Sequence, residues 1–162
     1  MTKSHKHRCS IAAALNLLGD RWTLLIVREA LYGADRFGQF QRNTGISKNL
    51  LTDRLNHLVA NGILERVAFA DRGTSHVYRL TKSGRALETL MVALQQWADQ
   101  FVYGEGKEPV LLCDKANDLP VPRVELKNAF GDTISFDNMD FKPGPGADKH
   151  TRRRLSDIVP PL

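Results

Sequence analysis

The most reactive side chains of this sequence crowd its first residues, MTKSHKHRCS, where His5, His7 and Cys9 alternate with Lys6 and Arg8. That spacing admits four chemistries: a metal site, a thiol switch, a basic arm, or a frayed end. Metal binding needs a scaffold and supporting partners behind the ligands. Three alternating ligands on a terminus lack both, so no metal is assigned. Cys9 stands directly before the helical run SIAAALNLL. Partial positive charge at a helix start stabilises a thiolate, and Arg8 and His7 would push the same way. A thiol sensor and a small residue packed at a subunit seam both remain open for Cys9. Cys113, in VLLCD, has no second cysteine nearby and reads as a partly buried strand residue. No glycine-rich phosphate loop, nucleophile elbow or His-x-x-x-His helix occurs, so no catalytic set, no enzyme and no cofactor are expected.

Charge narrows the partners. The 162 residues carry 23 Lys/Arg against 18 Asp/Glu, a net +5. Residues 1–104 hold a net +6, residues 105–148 a net −4, and residues 149–162 a net +3. The first hundred residues suit a polyanion and the acidic stretch does not. No run of 18 apolar residues and no signal-peptide pattern appear, so neither a membrane span nor a leader is expected. With two cysteines and no disulfide framework, the expected location is cytoplasmic.

The elements follow from periodicity and punctuation. SIAAALNLL reads as a short helix ending at Gly19, and Asp20 as the cap of a strongly apolar helix, RWTLLIVREALY, stopped by Gly33. Asp35 is expected to cap RFGQFQRN, which Gly45 ends. In GISKNLLTDRLNHLVANG, Ser47 is the expected N-cap, Ile46 and Leu51 a hydrophobic staple, and Gly62 the stop. ILERVAF and SHVYRLT then alternate like strands around the turn ADRG. Thr81 is the expected cap of one long helix running to Gly104. Beyond it, VLLCD, RVELKN and TISFDN are strand-like pieces between prolines, KPGPGAD reads as a linker, and KHTRRRL is basic.

The expected fold class is mainly α with a small β-hairpin: a winged helix-turn-helix. The organisation read from the sequence is a basic arm (1–9), a DNA-binding and dimerisation domain (10–104), and a small β-rich or weakly ordered extension (105–162). A B-form major groove admits one helix, and short polar side chains let that helix approach base edges. The helix opened by Ser47 presents Lys48, Asn49, Thr52 and Asn56 on an almost acid-free face, with Arg54 on its flank. Asp53 on that face would pair with a cation or accept from a cytosine amino group. Arg72 and Thr74 at the hairpin tip, and Arg36 before the preceding helix, complete the expected DNA contacts. Arg36 also has the plainer option of an ion pair with Asp35 or Glu29.

As a set, RCSIAAALNLLGDRWTLLIVREALYG, RFGQFQRNTGISKNLLTDRLNHLVANGILERV and VYRLTKSGRAL resemble the HxlR-type, MarR-related winged-helix transcriptional regulators. The shared features are Cys9, Gly19 to Trp22, Arg36-Phe37 and Gly45-Ile46-Ser47, within roughly residues 8–103. Ser10 departs from the proline often found after that cysteine. The resemblance implies a homodimer on an inverted-repeat, double-stranded operator, acting more often as a repressor. Terminal helices would form the interface, and in some members a cysteine at the position of Cys9 senses oxidants. From the residues themselves, Leu87, Leu90, Met91, Leu94, Trp97 and Phe101 make a stripe too broad for one small domain to cover. With Ile11 and Leu15, they are the expected dimer interface. A small aromatic or electrophilic effector between helices, lined by Trp22, Trp97 and Phe101, is the other candidate signal. The alternative function is a winged-helix protein–protein module using the acidic extension.

Overall fold

The central helix begins where the sequence puts a short acidic side chain before a tryptophan. Asp20 Oδ1 accepts a 2.9 Å hydrogen bond from the Trp22 N–H and so caps α2 (Arg21–Leu31). This computed structural model describes residues 8–68 and 76–158, with the backbone alone for Ile158. The hairpin tip with Arg72 and Thr74, and the terminal His5 and His7, lie outside the described residues.

Two compact units emerge, one of residues 20–124 and one joining residues 8–19 to residues 125–158. The first holds α2, α3 (Phe37–Thr44), α4 (Lys48–Ala60) and the antiparallel strands β1 (Leu64–Ala68) and β2 (His76–Leu80). Leu64 pairs with Leu80, Arg66 with Tyr78, and Ala68 with His76. Ile26, Val27, Phe40, Ile46, Leu51, Leu55, Leu58, Leu64 and Tyr78 make the buried core, with Trp22, Phe37 and Leu87 packed against it. The winged-helix order of the sequence reading is therefore the order found. Ile46 and Leu51, the residues of the expected staple, are both buried in this core. Gly62 takes φ +66°, the left-handed conformation that a helix stop favours.

Five local expectations need correction. α3 is opened by Arg36 rather than Asp35, because Gln39 Oε1 accepts from the Arg36 and Asp35 N–H groups at 2.8 and 3.0 Å. Ser47 occupies the N-cap position of α4, but its hydroxyl makes no capping bond. The long helix is broken: Thr81 caps a single turn, α5 (Lys82–Arg85), before α6 (Glu88–Ala98) and a π turn, Asp99–Tyr103. The break follows from Gly84, where a Cβ would stand 2.2 Å from the Ile63 carbonyl oxygen. Docking that turn against β1's entry fixes its direction, and α6 starts afresh. The first part of the extension lies along α6, where Gln95 donates to the Val110 carbonyl and Gln96 to that of Pro122.

In the extension the strand-like runs make two isolated bridges, Cys113 with Pro120 and Lys127 with Thr133. Cys113 is exposed and makes a single bridge, a correction to the partly buried strand residue expected of VLLCD. The second unit contains α1 (Ser10–Leu18) and α7 (Lys149–Ile158). α7 is the fifth correction: KHTRRRL is helical, started by Asp148, whose carboxylate accepts from the Thr151 N–H at 2.8 Å. Thr151 also donates to the Arg8 carbonyl, joining α7 to the residue before Cys9.

Candidate DNA-binding surface

α4 presents its contents in two sharply different faces. Leu51, Leu55 and Leu58 turn inward and are fully covered, which fixes the helix's rotation. Ser47, Lys48, Asn49, Thr52, Asp53 and Asn56 are then all exposed. Within this face the Thr52 hydroxyl donates back to the Lys48 carbonyl at 2.9 Å. Arg54 is only part-exposed and forms a 3.4 Å ion pair with Asp20, tying α4 to the start of α2. Arg36 is exposed, with Asp35 4.0 Å from its guanidinium, the pairing the sequence offered as its plainer option. Glu29, the other partner considered, is instead held by Arg28 and Asn43.

The hairpin adds a residue that the sequence reading missed. Arg66 shares the parity of Leu64 on β1, so its stem runs over the face that packs toward α4. Its Nη2 donates to Asn56 Oδ1 at 2.9 Å and to the Tyr78 hydroxyl at 3.4 Å. The guanidinium stands 5.6 Å from the centre of the Tyr78 ring. His76 Nε2 lies 3.1 Å from the same hydroxyl, so β2 supports the array from its other end. An arginine on the core-facing parity of a strand was the available signal.

Cys9 is the N-cap residue of α1. Its side chain makes no capping bond, but the Ala12 and Ile11 N–H groups at the helix start favour the thiolate and hold the thiol below its ordinary pKa, with Arg154 of α7 adding a smaller pull in the same direction. The helix-start argument from sequence therefore has its physical cause, but the nearby cation named by the structure is Arg154. No group of three or more metal-binding side chains occurs among the described residues.

The expected dimer residues separate into two sets. Leu87 and Met91 pack against their own core. Ile11, Leu15, Leu90, Leu94, Trp97 and Phe101 are exposed, Trp97 by 56% and Phe101 by 65%. Trp97 and Phe101 lie side by side, with ring centres 5.8 Å apart and planes tilted by 42°. A pocket of about 540 Å³ opens between α2, α6 and residues 109–112, lined by Leu25, Leu31, Tyr32, Met91, Leu94 and Val110. Trp22, Trp97 and Phe101, expected to line such a pocket, are not among its walls.

A polar helix held by its apolar face on a three-helix core, with a hairpin beside it, defines a helix-turn-helix transcriptional regulator of the winged type. The HxlR-like helix-turn-helix family model matches residues 17–105, and the chain belongs to that family. An uncharacterized HTH-type transcriptional regulator of Mycobacterium tuberculosis, Rv3095, is 40% identical over 141 residues, 85% of this chain and 87% of the relative. The crystal structure of PA1607, described as a candidate transcription factor, superposes with TM-score 0.79 at 36% identity, over 85% of this chain and 96% of that one. The reduced form of YodB from Bacillus subtilis gives TM-score 0.52 at 35% identity, over 59% of this chain and 96% of that one. YodB has also been solved bound to a quinone. The first two matches cover too much of the chain to end at residue 105, so part of the extension is shared with them. These relatives are transcription regulators, not enzymes, and among the described residues no single helix is long and apolar enough to cross a membrane.

Proposed function

We propose that the protein is a cytoplasmic repressor that binds an inverted-repeat operator as a homodimer, with α4 in the major groove. The observation that carries this is the exposed, acid-poor face from Ser47 to Asn56 on a helix whose rotation is fixed by three covered leucines. Lys48, Asn49, Thr52 and Asn56 read or border base edges. Arg36 and Arg54 serve the phosphates, and Arg72 and Thr74 at the hairpin tip reach the adjacent groove. Ile11, Leu15, Leu90, Leu94, Trp97 and Phe101 meet the second subunit, placing the two recognition helices about one helical turn apart.

The effector acts on that spacing. Oxidation or electrophile addition at Cys9 is supported by its lowered thiol pKa and by the quinone-bound form of YodB. The apolar pocket beside α2 and α6 supports a small-ligand effector as the other input.

The test is DNA binding measured against salt, on the stretch upstream of the protein's own gene and with competitor DNA present. Affinity is expected to fall linearly on logarithmic axes as salt rises, and Arg36→Gln to lower the slope by about 1. A shallow slope, or binding abolished by nonspecific competitor, rejects the operator reading. The same footprint with a mild thiol oxidant, on wild type and Cys9→Ser, tests the effector. Equal release of both proteins assigns the signal elsewhere.

A further inference from the structure

The structure assigns Arg66 a role in specificity: it converts Asn56 from an adenine reader into a hydrogen-bond donor for guanine. This inference rests on the DNA-reading role proposed for α4. Asparagine recognises adenine by using both ends of its amide, with Oδ1 accepting from the N6 amino group and Nδ2 donating to N7. Here Oδ1 already accepts from Arg66 Nη2 at 2.9 Å. The orientation of that amide is fixed by chemistry, because a guanidinium carries donors only and the atom facing it must be the oxygen. What Asn56 offers outward is therefore its Nδ2 donors.

Arg66 strengthens that bias by its own charge. Oδ1 keeps a second acceptor position, but the group filling the first brings a positive charge and further donors to the same edge. The bonds to Asn56 and Tyr78 both come from Nη2, so Nη1 and Nε still carry hydrogens to donate. An adenine amino group brought to this edge would meet donors. Guanine presents O6 and N7, both acceptors, and suits it. The arrangement is held rather than incidental: the guanidinium sits over the Tyr78 ring, and Tyr78 is buried in the core. The hairpin thus sets the chemical sense of a side chain on the neighbouring helix.

The experiment is selection of DNA ligands from a random duplex pool by the full chain, as wild type, Asn56→Ala, Arg66→Ala and Arg66→Met. The position governed by Asn56 is the one whose preference Asn56→Ala erases. At that position the wild type is expected to prefer guanine over adenine by at least about fivefold, and Arg66→Ala to shift the preference toward adenine by about tenfold, with the other positions unchanged. Arg66→Met keeps an apolar stem against Tyr78 and removes every donor, so it gives the same shift if the alanine variant proves poorly folded. An adenine preference in the wild type, or an unchanged preference in both Arg66 variants, overturns the assignment while leaving operator binding intact. A wild type that selects no sequence rejects the operator reading itself, and this inference with it.

Discussion

Helices α4 and α6 both carry a run of leucines at helical spacing, yet Leu51, Leu55 and Leu58 are fully covered while no residue of α6 is buried. The difference lies in what stands opposite. α4 sits in the angle between α2, α3 and β1, so its stripe meets side chains of its own chain. α6 lends Met91 to that core, and its outer stripe, from Leu90 to Phe101, faces away. Among the described residues, none after Gly84 is buried. The helix that carries the proposed reading face is thus held by its own subunit, and the helix that follows the wing keeps its apolar surface for something else.

The largest effect that tests this contrast comes from the covered stripe. Leu55→Ala removes a fully buried side chain and is expected to cost about 2–5 kcal/mol of stability. Urea unfolding followed by far-ultraviolet circular dichroism measures it. A loss below about 1 kcal/mol would mean that α4 is not anchored as described.

The same chemistry on α6 should act on association instead. Trp97→Asp places a charge in the exposed stripe, and at micromolar concentration it is expected to convert a dimer into a folded monomer with unchanged helix content. Sedimentation equilibrium decides this. A wild type that is already monomeric rejects the proposed interface, and a variant that unfolds shows that Trp97 serves the subunit's own core.

The contrast also explains what could be read in advance. α4, the burial of Ile46 and Leu51, and the stop were legible because each signal is local: Ile46 and Leu51 are five residues apart, and Gly62 closes the same segment. The break before α6 was not, since it depends on Gly84 meeting the Ile63 carbonyl across the fold. Arg66 was missed for a similar reason, as its partner Asn56 lies ten residues back on another element. In the extension the strand-like runs pair over single bridges, Cys113 with Pro120 and Lys127 with Thr133, rather than in a sheet, and alternation alone does not tell how far a pairing extends. α7 was the avoidable omission. Asp148 stands three residues before Thr151, which is ordinary helix-start spacing, but it was read as the end of a glycine-rich linker.

That cap supplies the smallest and most local effect. The hydrogen bond from the Thr151 N–H is the largest cause that holds the Asp148 carboxyl below the usual aspartate range, with the Thr151 side chain beside it, and the charges of Arg8 and His150 add to this. A carboxylate whose pKa is lower in the folded state contributes stability above its unfolded pKa of about 3.9. The contribution disappears as pH falls through the lowered value. α7 is therefore expected to hold its start at neutral pH and to fray in acid, while α4, with no acidic residue in its first turn, keeps its own. The Thr151 amide resonance, followed by nuclear magnetic resonance through an acid titration, should move with a midpoint below 3.9. Asp148→Asn should preserve the helix start, since asparagine caps about as well, and Asp148→Ala should lose it at every pH. A Thr151 midpoint at or above the free-aspartate value would show that Asp148 does not hold this helix. The order seen at the start of α7 would then have to come from Thr151's other bond, to the Arg8 carbonyl.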